Sequence, residues 1–337
     1  MSQRSHTERL LTVATCMAEA GHGAAVGGSL ALLSRAFRAD RQLWGALAQH
    51  AGPLGRSRLM YAALHNDADR VGFLLDRGAA AGRATPQGAS AMRLACQGGH
   101  GAVVRLLAGS APPLALAACA PDGATPLMVA CQAGHLDIVR HLVEERGAEA
   151  GAALAGCGGT PLTLAAQHGH EAVVRFLVTC RAVGVDARTS DGSTALILAC
   201  QEGHLGVARC LVEEGGADAS AVRASDGKTA LMLVIGRRSK YLEAAHCLLR
   251  HGARASINAV CSAGGTALSR AAEAGSATLI HVLYSCGADV NLQGMAPQPL
   301  MLALNRGRNE VALALIECGA DCDNESGYLA RLQGLVA

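Results

Sequence analysis

The chain has 337 residues, of which half are apolar and only 2% are aromatic, and its formal net charge is +2. This small charge argues against a strong basic field, so we expect neither nucleic acid nor a membrane surface as a partner. No run of about 18 apolar residues is free of charges or helix breakers, so the sequence predicts no membrane-spanning helix. The scarcity of aromatic residues favours thin layers of small aliphatic side chains over one large globular core.

Residues 1–55 differ from the rest of the chain and contain its single tryptophan, Trp44. They begin with charged side chains and no apolar stretch, so we expect no signal peptide and a cytoplasmic or nuclear protein. An apolar run at 29–37 precedes a basic step and a Leu-Trp-x-x-Leu sequence at 43–47. This combination resembles the second half of an F-box, although the half with Leu-Pro-x-Glu is absent. Two interpretations stay open: a helical cap for the repeats that follow, or a degenerate F-box-like segment.

From about residue 56 onwards the sequence repeats itself. Five pentapeptides of the form Gly-x-Thr-Pro/Ala-Leu place their threonines 34 to 37 residues apart, at Thr125, Thr160, Thr194, Thr229 and Thr266. A period near ~33 residues with this content is typical of stacked units made of a turn and two helices. Weaker matches extend the series in both directions. We predict eight units, with boundaries at 56–87, 88–122, 123–157, 158–191, 192–226, 227–263, 264–295 and 296–326.

Each conserved position within the units has a mechanical role. The threonine caps the first helix, and proline is tolerated directly after it because its missing N–H would be unpaired there. Paired small residues, such as Ala165-Ala166, let neighbouring first helices approach closely. A Gly-His pair reverses the chain into a second helix that buries one apolar face, and we expect this histidine to close the helix turn. Gly-Ala-Asp then ends the second helix.

This pattern resembles the ankyrin repeat, over about four-fifths of the chain. The resemblance implies an all-α solenoid, which we expect to have N- and C-terminal capping helices, the latter at 327–337. In the family a histidine usually follows Thr-Pro-Leu and ties adjacent turns together. Its absence here means that the turns are either looser or tied in another way. The replacements are Met128, Thr163, Ile197, Met232 and Ser269.

The ankyrin resemblance also implies a protein partner on the concave face. The function that we expect is a non-catalytic protein–protein interaction scaffold, acting as a monomer. The alternative is a substrate-recruiting adaptor of a ubiquitin ligase that acts through the F-box-like segment.

Glutamine recurs at the end of four successive first helices. These side chains either bond one another along the array or offer their amides to a peptide. The turn at 237–241 is locally basic, and it either contacts an acidic partner or reflects neutral drift. We expect binding to centre on 123–226. The candidate partner-binding residues are Gln97, Gln132, Gln167, Gln201, Glu202, Lys228, Arg237, Arg238, Lys240 and Tyr241.

An arginine recurs once per unit on the second helices, at Arg105, Arg140, Arg175 and Arg209. We interpret this stripe as a solvated outer face, partly neutralised by nearby glutamates.

The sequence lacks the motifs of common catalytic and cofactor sites, including Gly-x-Ser-x-Gly, His-Glu-x-x-His and the phosphate-binding loop. We therefore predict no catalytic or cofactor-binding residues. Of the thirteen cysteines, Cys96, Cys131 and Cys200 occupy one helix position that is alanine in other units, which favours free buried thiols. A metal site is the alternative, but only Cys318 and Cys322 are close in sequence, so we predict no metal.

Overall fold

A computed structural model describes residues 56–110, 123–180, 184–235, 241–292 and 298–321. Within these ranges the chain forms sixteen α-helices and no extended β-strand, which confirms the all-α prediction. The predicted N-terminal cap, the F-box-like sequence and the C-terminal capping helix lie outside the described residues. The chain divides into two compact units, Met1–Ala148 and Glu149–Ala337.

In the first unit, the helices alternate between the first and second helix of each repeat. First helices α1, α3 and α5 pack side by side, as do second helices α2, α4 and α6. The helices are α1 (Arg58–Leu64), α2 (Ala68–Asp76), α3 (Ala91–Gly98), α4 (Gly101–Ser110), α5 (Pro126–Ala133) and α6 (Leu136–Arg140).

The second unit repeats the same arrangement. First helices α7, α9, α11, α13 and α15 pack in sequence. The segment after α12 contains a short 3-10 helix, Ala253–Ser256. The helices are α7 (Pro161–Gln167), α8 (Glu171–Thr179), α9 (Ala195–Glu202), α10 (Leu205–Glu213), α11 (Ala230–Ile235), α12 (Tyr241–Arg250), α13 (Ala267–Ala274), α14 (Ala277–Ser285), α15 (Pro299–Asn305) and α16 (Asn309–Glu317).

The described helices are short, and the longest, α4 and α12, have ten residues each. None of the helices in the described ranges has both the length and the apolarity to cross a membrane.

Hydroxyl side chains start the first helices, as the repeat pattern predicts. In seven of the eight described first helices, a Ser or Thr oxygen accepts a hydrogen bond from the backbone N–H three residues later, at 3.1 to 3.3 Å. The exception is α15, where Gln298 makes no such bond. Each cap stabilises the fold by about 0.5–2 kcal/mol, so the repeated hydroxyl fixes where each unit begins.

Two of the residues that replace the family histidine tie the turn locally. The Thr163 hydroxyl accepts from the Thr160 N–H at 2.7 Å and donates to the Thr160 carbonyl at 2.9 Å. Ser269 makes the same pair of bonds to Thr266, at 2.8 and 2.9 Å. These turns are therefore tied in another way rather than loosened.

The histidine of the Gly-His pair closes the end of the first helix through its backbone, as predicted: the N–H of His100, His135 and His204 bonds the carbonyl five residues back at 3.0, 3.1 and 2.8 Å. In these three pairs the ring also lies beside a backbone carbonyl at the end of the first helix of the preceding repeat. At their own helices, His135 and His204 make no side-chain capping bond. The imidazole Nε2 atoms lie 3.1 Å from Leu64 O for His100, 3.3 Å from Gln97 O for His135 and 3.1 Å from Gln167 O for His204. These bonds join successive repeats, so the histidines are part of the stacking interface.

Second helices α6 and α10 accommodate one more residue than α14 and α16 before the terminating glycine. In α6 the extra residue is taken up by a π-helical turn, His141–Glu145. In α10 it is taken up by a bond from Gly215 N to Cys210 O, five residues back, at 3.2 Å. Both solutions keep the leucine of the inner face buried, Leu142 in α6 and Leu211 in α10. The added residue is therefore absorbed at the helix end without disturbing the core.

Candidate functional site

The turn tips that precede the first helices form a hydrogen-bonded row in the second unit. Each tip donates one backbone N–H to a carbonyl of the preceding tip. The bonds run from Ser190 N to Cys157 O (2.8 Å), from Ser225 N to Asp191 O (3.0 Å) and from Ser262 N to Asp226 O (2.8 Å). Because the backbones are held in this way, the side chains on the tips have fixed positions relative to one another.

The tip at 223–228 carries a charged cluster. Asp226 accepts two bonds from the Arg223 guanidinium, from Nε at 2.9 Å and Nη2 at 3.1 Å. The Lys228 ammonium lies 3.0 Å from the same carboxylate. Arg223 also donates through Nη1 to the Gln201 side-chain oxygen, and Gln201 in turn donates to the exposed Glu202 at 3.1 Å. The cluster thus joins the tip to the end of α9.

Burial and pairing together set the charge state of this cluster. Arg223 is only 8% exposed, so without Asp226 its buried charge would lack a carboxylate partner. Burial alone would raise the pKa of Asp226, but hydrogen bonds from Arg223 and Lys228 outweigh it and lower the pKa to about 2. Asp226 therefore stays ionised near neutral pH, where it holds the two cations in place instead of exchanging protons.

The neighbouring tip is held by a second carboxylate, Asp191. It accepts bonds from the Ser193 hydroxyl at 2.8 Å, the Ser193 N–H at 3.1 Å and the Thr189 hydroxyl. Burial alone would raise the pKa of Asp191, but the bonds from Thr189 and Ser193 lower it. Arg188 donates to the Val222 carbonyl of the next tip at 2.9 Å. Both tips are thus fixed by side chains as well as by backbone bonds.

In the repeated glutamines, the backbone carbonyl and the side chain have different roles. The backbone carbonyls of Gln97 and Gln167 lie against histidines of the next repeat. Their side chains, and that of Gln132, are exposed, while Gln201 is half-buried. The Gln201 amide bonds Arg223 and Glu202, and not another glutamine of the array.

The arginine stripe on the second helices contains an ion-paired member in the second unit. The Arg175 guanidinium lies 2.9 Å from Glu171 on its own helix and also contacts Glu214 after α10. The side-chain hydrogen bond that Arg175 donates to Glu171, followed by the charge of Glu214, raises the pKa of Arg175. This neutralisation agrees with the interpretation of a solvated outer face.

The thiols of the described residues are free, and those buried in the first helices are poorly reactive. Ten cysteines are described, and none is in a disulfide. Burial raises the pKa of Cys96 and of Cys200 to about 12, so both stay protonated at neutral pH. Cys318 is buried beside His281, with its Sγ 3.6 Å from Nδ1, while Cys322 lies outside the described residues. In the described ranges no three His, Cys, Asp or Glu side chains are placed to hold a metal ion.

A family model described as "Ankyrin repeats (3 copies)" matches the chain in three blocks, at 59–153, 146–223 and 215–294. Together the blocks cover more than half of the sequence. The chain belongs to the ankyrin-repeat family. No curated protein matches it. Because the blocks overlap and span several units each, the number of eight repeats and their boundaries stay predictions.

The ankyrin repeats of the second unit bring together three of the predicted site residues: Gln201, Glu202 and Lys228. Their common neighbours, Arg223 and Asp226, were not predicted. A signal for Asp226 was present, since Asp-Gly-x-Thr occurs three times, starting at Asp122, Asp191 and Asp226.

Other predicted residues of this ankyrin chain are not part of that cluster. Gln97 and Gln132 belong to the first unit, and Gln167 lies one repeat before Gln201. Arg237, Arg238 and Lys240 lie outside the described residues. Tyr241 begins α12, and its side chain is not among those described.

Proposed function

We propose that this ankyrin-repeat chain is a non-catalytic protein–protein interaction module. In this proposal it binds a partner protein along the ends of first helices α7 and α9 and the turn tips up to Lys228. Ankyrin repeats are generally protein-interaction modules, so the family match supports the general class of function. The observation that carries the proposal is the cluster of Arg223, Asp226, Lys228 and Gln201, which is fully bonded before any partner arrives.

Preorganisation is the physical argument for binding at this place. A partner that contacts a mobile polar surface has to order side chains, at about 0.5–1.5 kcal/mol for each. Here the ion pairs and the backbone bonds between tips order these side chains before the partner binds. The exposed Glu202 side chain bonds Gln201 of this cluster, and the exposed Gln167 lies one repeat earlier, so the two supply polar groups of mixed character. A partner segment of mixed polarity suits this surface.

Three of the described groups have charge states that do not favour catalysis. Asp226 has a lowered pKa and Cys96 and Cys200 have raised ones, the reverse of a general acid or an activated nucleophile at neutral pH. The adaptor alternative depends on 29–47, which lies outside the described residues, so it stays a prediction.

The test begins with capture of partners by the intact chain and continues with affinities of matched variants. One variant combines Gln167→Ala, Glu202→Ala and Lys228→Ala, and we expect it to weaken partner binding at least about tenfold. Gln167→Ala leaves its backbone carbonyl free to meet His204, so the stacking bond is retained.

The matched control combines Arg175→Ala and Arg209→Ala on the second helices. It should leave the affinity unchanged, and circular dichroism should show that both variants stay folded. If the control abolishes binding while the first variant binds normally, the partner uses the outer face and the proposed site is wrong.

A further inference from the structure

Arginine side chains gather around one glutamate where α13 and α15 end. The Glu273 carboxylate lies 3.1 Å from Arg306 Nη2 through one oxygen and 3.5 Å from Arg270 Nη1 through the other. Arg308 donates from Nη1 to the carbonyl of Ala274 at 2.9 Å. Two guanidinium groups therefore flank a single carboxylate, a third is bonded to the backbone of the next residue, and we name Arg270, Arg306 and Arg308 the arginine cluster.

The arginine cluster carries a permanent excess of positive charge. Guanidinium groups stay protonated at all physiological pH values, so Glu273 neutralises one of three charges. Arg308 stands where earlier repeats place His100, His135 and His204, and it also bonds a carbonyl of the preceding repeat, one residue beyond the position that the histidines bond. The repeat framework needs only a hydrogen-bond donor at that position, which an imidazole supplies elsewhere.

Donor groups of the cluster stay accessible to a ligand. The Arg306 side chain is 50% exposed and that of Arg270 is 33% exposed. Each guanidinium has five N–H donors in a fork that matches a carboxylate. The contacts to Glu273 and Ala274 use a minority of these donors.

We propose that the arginine cluster binds an acidic segment of the partner protein, whose Asp and Glu side chains pair with Arg306, Arg308 and Arg270. Glu273 occupies the repeat position equivalent to Gln201, so the segment continues the surface assigned above, and this inference rests on the proposed function. A compact phosphate ion would have to lie beside the Glu273 carboxylate. Carboxylates spaced along a peptide can instead meet the arginines on either side of it.

The direct test uses the full chain and a fluorescent oligoglutamate peptide as the probe. The double variant Arg270→Gln/Arg306→Gln should weaken binding of this peptide at least about threefold. Glu273→Gln should strengthen it, because the repelling carboxylate is lost. Opposite effects of neighbouring substitutions cannot both arise from unfolding.

Two controls make the result specific. Arg209→Gln removes an exposed charge from α10 and should leave peptide affinity unchanged. A peptide of equal length with Gln in place of Glu should not bind. The proposal is overturned if Arg209→Gln weakens binding as much as the double variant, if both peptides bind alike, or if inorganic phosphate displaces the peptide at constant ionic strength.

A captured partner separates this inference from the proposed function. Suppose that the triple variant at Gln167, Glu202 and Lys228 loses the partner while Arg270→Gln/Arg306→Gln binds it normally. That result would retain the proposed function and reject the acidic segment. An effect of the arginine variant alone would support the acidic segment and reject the site at Lys228.

Discussion

Two neighbouring turn tips of the second unit are each closed by a backbone bond, but they differ in length and in chemistry. In the tip at 223–228, Arg223 N bonds Lys228 O at 2.9 Å, and in the tip at 261–265, Cys261 N bonds Gly265 O at the same distance. The first tip fills this frame with an ion-paired cluster, and the second fills it with the buried Cys261 thiol and two glycines. Both tips are thus closed by the backbone, while the side chains decide what each tip offers to a partner.

The two tips also place different demands on stability. Arg223 is nearly as buried as Cys261, but only the arginine carries a charge that needs a partner. Asp226 supplies that partner, and Gln201 accepts a further bond from the guanidinium. The tip at 223–228, which we call the charged tip, is consequently sensitive to single substitutions that would not affect the tip at 261–265.

The largest effect on stability is expected at Leu231, in the helix α11 that lies between the two tips in the chain. This side chain is 1% exposed, and α11 packs against both α9 and α13. Leu231→Asp buries an unpaired charge and should lower the free energy of unfolding by about 3 kcal/mol or more. Hydrogen exchange should increase at both tips. The control is Leu233→Asp, at a half-buried position of the same helix, which should have a smaller effect. If hydrogen exchange increased at one tip alone, α11 would not support both tips.

Asp226→Ala should destabilise the charged tip specifically. It leaves the buried Arg223 without its carboxylate, at a cost of about 2 kcal/mol in the free energy of unfolding. Denaturant unfolding measures the loss. The double variant Arg223→Met/Asp226→Ala removes the unpaired charge and should recover part of the stability. A double variant as unstable as Asp226→Ala would show that the ion pair is not the cause.

The charged tip should also make stability depend on pH in the acid range. The pKa of Asp226 is about 2 in the folded chain, below the usual value of about 3.9 for an unfolded aspartate. Its stabilisation is therefore complete above about pH 4 and is lost as pH falls towards 2, since the unfolded chain binds more protons in that interval. Asp226→Asn should remove about 1 kcal/mol of this dependence, measured by denaturant unfolding at several pH values. Cys261→Ala, in the tip that lacks a carboxylate, should keep the wild-type slope.

Lys228→Ala should have the smallest effect on stability. The Lys228 side chain is 31% exposed, and Asp226 keeps its two bonds to Arg223 without it. We expect a loss of at most about 0.5 kcal/mol in the free energy of unfolding. A loss as large as that of Asp226→Ala would mean that the lysine, and not the arginine, organises the tip.

Much of the framework could be predicted from the sequence because its signals are local. A Ser or Thr at the N-cap satisfies a backbone N–H only three residues away, so the threonine spacing located the first helices. The glycines of Gly-His adopt the left-handed conformation that the pattern requires, with φ of +74° at Gly99 and +83° at Gly203. The candidate site was predicted only in part, since Gln201, Glu202 and Lys228 were found without Arg223 and Asp226.

The sequence by itself determined the family, the all-α fold and the starts and ends of most helices, because caps, glycine turns and apolar spacing act within a few residues. Tertiary structure decided which polar groups meet across repeats. Arg223 reaches Gln201 over 22 positions, and Arg308 reaches Ala274 over 34. Such contacts depend on how closely successive repeats stack. Stacking brings side chains together that the sequence keeps apart, and for that reason the charged tip and the arginine cluster emerge only from the folded chain.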